Sequence, residues 1–153
     1  MTQKLHRAEF VTNLQLEQDA IKDFIDILKQ EQNALVDGRV EDLDFFASHK
    51  TELIKKLSDY ADKRDQYLIE KGLNLNPQVI HNFFITEENV VEIGAIWTEL
   101  LRLTKIVQQL NQINGTIITT RLQQTQQALS ALQNAAGTVS LYNPKGQTMG
   151  ITS

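Results

Sequence analysis

Two groups of aspartates are the residues of this chain whose spacing could serve a metal ion. Each group repeats at intervals of three or four residues, so its members share one side of a helix: Asp19, Asp23 and Asp26, and then Asp59, Asp62 and Asp65. Helical bundles bind metals through carboxylates together with Glu-x-x-His pairs on facing helices, and the sequence contains no such pair. It also lacks cysteine, which excludes disulfides, thiol catalysis and cysteine-based metal sites. The sequence predicts no metal site and no cofactor, and the aspartates indicate a solvated acidic face.

His49 is the histidine that could accept a phosphoryl group, since histidine phosphotransfer domains are helical bundles of about this size. In such domains the histidine is typically followed by Lys at the third position and Gly at the fourth, whereas this chain has Glu52 and Leu53 there. A carboxylate beside the phosphorylated nitrogen would repel the phosphoryl group. The chain also has no glycine-rich phosphate loop and no nucleophile elbow. We therefore expect a surface role for His49 and a protein that is not an enzyme.

Charge and composition narrow the class of partner. The chain has 153 residues, about one domain, and a net charge of −4 with no basic patch, which argues against nucleic acid. Its longest uncharged run, residues 122–144, is too rich in Gln, Ser, Thr and Asn to insert into a membrane. The first seven residues lack the apolar core of a secretory signal. We expect a cytoplasmic protein.

The periodicity of apolar residues predicts an all-α fold, an antiparallel bundle of three long helices with a short extra helix. The predicted helices cover residues 4–35, 40–71, 77–84 and 86–137. Asp37-Gly38 separates the first two, and so short a connection makes them antiparallel neighbours. Phe83, Phe84 and Trp97 are expected in the core, where the short helix packs on the third long one. The predicted domains are a helical chaperone domain, 1–137, and a flexible, irregular C-terminal tail, 138–153.

Two interruptions qualify this pattern. Glu17 and Glu31 break the apolar series of the first helix. In the last helix, Gly115 and the five β-branched residues that follow it are weak helix formers, so we expect a kink or fraying around Asn114 and Gly115.

The last helix is charge-poor, with only Arg121 and Lys145 charged after Lys105. Its apolar side chains recur every three or four residues, and its other side is Gln, Asn, Thr and Ser. Neutral amides cost far less to bury than charges, so a partner could cover this helix. The predicted binding surface, which we call the apolar stripe, consists of Leu110, Ile113, Ile117, Ile118, Leu122, Leu129 and Leu132.

The C-terminal third resembles the FlgN-type flagellar export chaperones. The resemblance rests on Leu110-Asn111-Gln112-Ile113-Asn114-Gly115, on Gln126-Gln127-Ala128-Leu129, and on Leu141-Tyr142 with Gly146-Gln147-Thr148. The helix break at residues 34–38, followed by Leu43 and Lys50, is similar to the first hairpin of that family.

The resemblance implies a cytoplasmic chaperone of flagellar type III secretion. Such proteins bind amphipathic helices near the C-terminus of the hook-associated proteins that form the hook–filament junction, and deliver them to the export apparatus. Helix-in-groove recognition would place the client on the apolar stripe. Tyr142, in the tail, would dock on the export gate. A self-assembling helical scaffold that uses the same stripe is the alternative, and the phosphotransfer domain is the second alternative.

Overall fold

The computed structural model describes residues 2–86 and 90–138, and these residues form helices and no strand. The elements are α1, Thr2–Asp37; a 3₁₀ turn, Val40–Asp42; α2, Leu43–Glu70; α3, Pro77–Ile85; a π-helical turn, Val90–Gly94; and α4, Ala95–Thr138. The predicted all-α fold of three long helices and one short helix is confirmed. The π-helical turn was not expected, and most of the expected helix start at residues 86–88 lies outside the described residues.

Glycines end both helices of the first hairpin. Gly38 has φ 74° and Gly72 has φ 82°, a left-handed conformation that a residue without a Cβ adopts at little cost. In each case the residue after the glycine donates its backbone N–H to a carbonyl five positions back: Arg39 to Ala34 at 2.9 Å, and Leu73 to Leu68 at 3.1 Å. These bonds satisfy carbonyls that a helix end leaves open, so both helices stop where the sequence predicts.

The short helix α3 begins by the predicted capping arrangement. The side chain of Asn76 accepts a hydrogen bond from the backbone N–H of Gln78 at 2.9 Å. Pro77 occupies the first helical position, where its missing N–H costs no helical hydrogen bond. The local sequence therefore fixes the start of α3 without help from tertiary contacts.

The chain divides into two compact units, residues 1–114 and residues 115–153. The core of the first unit is lined by aromatic pairs: Phe10 stacks on Tyr67 at 4.0 Å between ring centroids, and Phe84 stacks on Trp97 at 4.5 Å. Phe84 is fully buried, and Phe83 and Trp97 pack against the same core, so the core role expected of these three residues is confirmed.

Two ion pairs show that α1 and α2 run antiparallel. Glu31 of α1 pairs with Lys50 of α2 at 3.0 Å, and Glu17 pairs with Arg64. A step of 14 residues back along α1 thus corresponds to a step of 14 residues forward along α2. Glu17 and Glu31 are 4% and 7% exposed. The two residues that break the apolar pattern therefore belong to the buried face of α1, each with a cation from α2.

The second unit contains the C-terminal part of α4, which the structure describes to Thr138. The helix neither ends nor frays at Asn114 and Gly115, so the expected fraying is wrong. The predicted tail, residues 138–153, lies outside the described residues apart from Thr138, and the predicted division into 1–137 and 138–153 stays a prediction.

Candidate functional site

Helix α4 presents one face to the core of the first unit. Leu100 and Leu103 are buried, and Val107 and Leu110 are half-buried against both core clusters. Asn114 continues this face, since it lies four residues after Leu110 and is only 2% exposed. The packed face at this level is therefore centred on Asn114, and Ile113 lies at its exposed edge.

Asn114 is held by α1 at two points. Its side-chain amide N–H groups donate to the backbone carbonyl of Leu28 at 3.0 Å and to Glu31 Oε1 at 2.9 Å. Glu31 in turn accepts from Lys50 Nζ at 3.0 and 3.3 Å. One buried polar cluster thus joins α1, α2 and α4, and we call Glu31, Lys50 and Asn114 the polar clamp. Buried polar groups of this kind favour one register, because a slip would leave them unpaired.

In the second unit the apolar stripe is exposed to solvent. Ile118, Leu122, Leu129 and Leu132 are 48%, 56%, 53% and 67% exposed, and Ile117 is half-buried. Every described side chain from residue 118 to residue 135 is exposed. Single exposed apolar side chains are ordinary on protein surfaces, but a periodic row of them along one helix is typical of an interaction surface.

The spacing within the exposed part of the stripe matches one strand of a coiled coil. Ile118, Leu122, Thr125, Leu129 and Leu132 are separated by four, three, four and three residues, an average of 3.5. The polar member, Thr125, donates its hydroxyl to the carbonyl of Arg121 at 2.9 Å. Because that hydroxyl is already satisfied within the helix, a partner can cover the stripe without leaving a polar group unpaired.

The residues beside the stripe are small or neutral. Ala128 and Ala135 lie on one flank and Gln126 and Gln133 on the other, and Arg121 is the only charged residue between 115 and 138. In coiled coils, charges at these flanking positions select the partner and its direction. Recognition at this stripe would therefore depend on apolar shape and amide hydrogen bonds more than on charge.

Comparison with known proteins places this helical architecture in a family. A family model described as FlgN protein matches residues 1–150, nearly the whole chain. The chain belongs to the FlgN family. Flagellar export chaperones make up this family, so a general chaperone role in flagellum assembly follows, and the family is not an enzymatic one. No curated protein and no solved structure matches the chain.

The structure of this FlgN family member distinguishes among the residues of the predicted binding surface. Leu110 packs into the core, where it contacts both hydrophobic clusters. Ile113 is 44% exposed at the edge of the packed face, and the five members from Ile117 to Leu132 belong to the second unit. Tyr142 lies outside the described residues. The assignment of these residues to a client or to the export gate stays a prediction.

Sequence reasoning missed a second buried charge cluster in the first unit. Arg64 pairs with Glu17, and its guanidinium lies 5.4 Å from the ring centre of Trp97, close enough for a cation–π interaction. Burial raises the pKa of the Glu17 carboxyl, against the opposing effect of the Arg64 charge. The available signal was spacing: Glu17 and Glu31 are 14 residues apart, as are Lys50 and Arg64 on the facing helix.

The candidates for chemistry are dispersed in the part of the chain that the structure describes. No group of three metal-ligating side chains lies together there. The ring of His49 lies against Phe45, with 5.6 Å between the ring centroids, near the start of α2. Within the same residues, no helix has both the length and the hydropathy needed to cross a bilayer.

Proposed function

We propose that this FlgN family member is a cytoplasmic export chaperone that binds the helical C-terminal segments of hook–filament junction proteins. The observation that carries the proposal is the exposed, heptad-spaced row of Ile and Leu side chains on a charge-poor helix. An amphipathic client helix would lay its apolar face along this row and add a second strand to the coiled coil.

The chemistry of the stripe suits a chaperone that must later release its client. The contact is mainly apolar, and the row from Ile118 to Leu132 spans 14 residues, about 21 Å of helix at 1.5 Å per residue. Few charges have to be desolvated on binding, so release does not require breaking buried ion pairs. A contact of this length is small beside a permanent interface, which favours reversible binding.

Substitutions on the two sides of α4 test the proposal. The double variant Ile117→Asp/Leu129→Asp should lose binding to a peptide of the junction protein's C-terminal helix, since a carboxylate in an apolar seam is costly to bury. We expect at least about a thirtyfold loss, equivalent to about 2 kcal/mol. The matched control is Gln123→Asp/Gln127→Asp, which adds the same charge on the opposite side of the helix.

Isothermal titration with wild type, the stripe variant and the control would give the three affinities. Normal binding by the stripe variant would place the client elsewhere. A mass that rises with concentration in sedimentation, abolished by the stripe variant, would instead favour the self-assembling scaffold.

Delivery to the export gate is assigned to Tyr142. An exposed tyrosine supplies apolar area and a hydroxyl at little entropic cost, which suits a transient contact. Tyr142→Ala should keep client affinity within about twofold, under 0.5 kcal/mol, while it slows export of the client. Loss of client binding with unchanged export-gate contact would show that the tail serves the other partner.

A further inference from the structure

A small slot between α3 and α4 has a composition unlike the rest of this acidic chain. It has a volume of about 320 Å³ and lies wholly within the first unit. Phe84, Trp97 and Leu101 supply apolar lining, and His81, Arg102 and Lys105 supply basic groups. No acidic side chain lines it among the described residues, although the whole chain carries a net charge of −4.

The apolar part of the slot is accessible. Leu101 is 45% exposed and Ile85, which also lines the slot, is 52% exposed. Phe84 and Trp97 stack at 4.5 Å with an angle of 7° between their rings, which fixes both rings in place. A volume of this size is at the lower end of the range for small-ligand sites, about 300–1,000 Å³, so it suits one or two side chains.

The cations at the slot retain capacity for a ligand. Arg102 donates from Nε to Glu99 Oε2 at 2.9 Å and from Nη2 to Glu99 Oε1, and this pairing holds its side chain in one arrangement. A guanidinium has five N–H donors, so three remain for another acceptor. Lys105 has no ion pair with any described residue.

We propose that this α3–α4 slot binds a short acidic segment of a partner protein, with an aliphatic or aromatic side chain inserted beside Trp97 and flanking carboxylates held by Arg102 and Lys105. Charge complementarity carries the choice, because a basic, apolar slot on an acidic protein selects the opposite charge. An anionic membrane is the weaker candidate, since surfaces that bind it present about four to eight clustered cations. The proposal is independent of the apolar stripe of α4.

The chain's only tryptophan lies in the slot, so its fluorescence reports occupancy directly. The probes are three acetylated hexapeptide amides with a central Leu-Phe pair, flanked on both sides by Glu, by Gln or by Lys. Titration of the full-length chain at low salt should change Trp97 emission with the Glu peptide, and with about tenfold higher affinity than with the Lys peptide. Added salt should weaken the Glu peptide most.

Two pairs of variants locate the contact. Arg102→Gln/Lys105→Gln should weaken the Glu peptide about fivefold, whereas Lys55→Gln/Lys56→Gln, equal in charge change but on α2, should not. Leu101→Gln should weaken all three peptides, whereas Leu16→Gln, at a similarly exposed leucine of α1, should leave them unchanged.

Each remaining outcome overturns the proposal. Equal affinity for the three peptides would remove the charge argument, and no change in Trp97 emission with any peptide would remove the site. A larger emission change with phosphatidylserine vesicles would assign the slot to a lipid surface. An emission change on concentrating the chain alone would assign it to a second copy. The stripe variant Ile117→Asp/Leu129→Asp should respond to the Glu peptide as wild type does, so failure of the client proposal is distinguishable from failure here.

Discussion

The two units of this protein use one helix in opposite ways. Up to Asn114, the apolar side chains of α4 meet side chains of α1 and α2, and the residues Leu100 and Leu103 are buried. From Ile118 onward the same periodicity continues, yet every described side chain to residue 135 is exposed. Periodicity predicts which side of a helix is apolar, but it does not say whether the covering partner belongs to the same chain.

The placement of charge differs between the units in a corresponding way. In residues 1–114, Glu17 and Glu31 are buried with Arg64 and Lys50, which ties α1 and α2 to one register. Between residues 115 and 138 only Arg121 is charged. Buried ion pairs specify a single internal partner, whereas a neutral, apolar surface can accept a partner of suitable shape.

The largest expected effect separates a buried aromatic from an exposed one. Phe84→Ala should lower the free energy of unfolding by about 3–5 kcal/mol, because Phe84 is fully buried against Phe10 and Trp97. Phe45→Ala, at a side chain that is 61% exposed, should cost under about 1 kcal/mol. Urea unfolding followed by circular dichroism measures both. Equal losses would contradict the assignment of the core.

Removing a buried cation should rank next. Arg64→Met leaves the Glu17 carboxylate buried without its partner, and we expect a loss of about 3 kcal/mol at neutral pH. The double variant Glu17→Leu/Arg64→Met should recover most of that stability, since no charge then remains to be buried. A double variant as unstable as Arg64→Met would show that packing, not charge, explains the loss.

The same variant has a defined pH dependence. Burial raises the pKa of Glu17 in the fold above its usual value of 4.5, and removal of Arg64 should raise it further. A carboxyl with a raised folded pKa binds a proton more readily in the folded chain, so its contribution is most favourable below the unfolded pKa and is lost as the pH rises. The destabilisation by Arg64→Met, relative to wild type at each pH, should therefore shrink as the pH falls from 7 toward 4.5. A constant difference would contradict the burial of an ionised Glu17.

The polar clamp should give a smaller effect. Asn114→Ala removes the hydrogen bonds to Leu28 and Glu31, and we expect a loss of about 2 kcal/mol. Asn111→Ala, one turn earlier and exposed, should change the unfolding free energy by under about 0.5 kcal/mol. Similar values for the two variants would show that the clamp does not stabilise the first unit.

The smallest expected effect belongs to the stripe. Leu129→Ala and Leu132→Ala should each leave the unfolding free energy of the free chain within about 0.5 kcal/mol, because both side chains are more than half exposed. Loss of more than about 2 kcal/mol would mean that the stripe is covered within the chain, as core leucines are.

Much of the fold was predictable because local signals and periodicity agreed. The Gly38 and Gly72 stops and the Asn76 cap each act within a few residues, and the structure places all three as expected. The polar clamp was not predictable in this way. Asn114 reads as a weak helix residue beside Gly115, and Glu31 as a break in an apolar row, because their partners lie more than 80 residues apart in sequence. Burial of a polar side chain depends on a distant partner that no local pattern contains.

The candidate site divides along the same line. The apolar stripe was identified from spacing alone, but its extent into the core was misjudged at one point: Ile113 was expected to continue the face that Asn114 occupies. An apolar count passes over an asparagine, although its amide can be buried when both N–H groups find acceptors, as they do at Leu28 and Glu31. The roles of the stripe and of Tyr142 concern other proteins, which no packing pattern within this chain identifies.

Amide hydrogen exchange of the full chain, with and without a peptide of the junction protein's C-terminal helix, tests the central claim most directly. Without the peptide, amides between residues 115 and 138 should exchange fast, because no side chain described there from 118 to 135 is buried, while α1 and α2 stay protected. With the peptide, new protection should appear between residues 115 and 132, and the exchange of α1 and α2 should not change. New protection confined to α1 and α2, or none between 115 and 132, would contradict the assignment of the stripe as the client-binding surface.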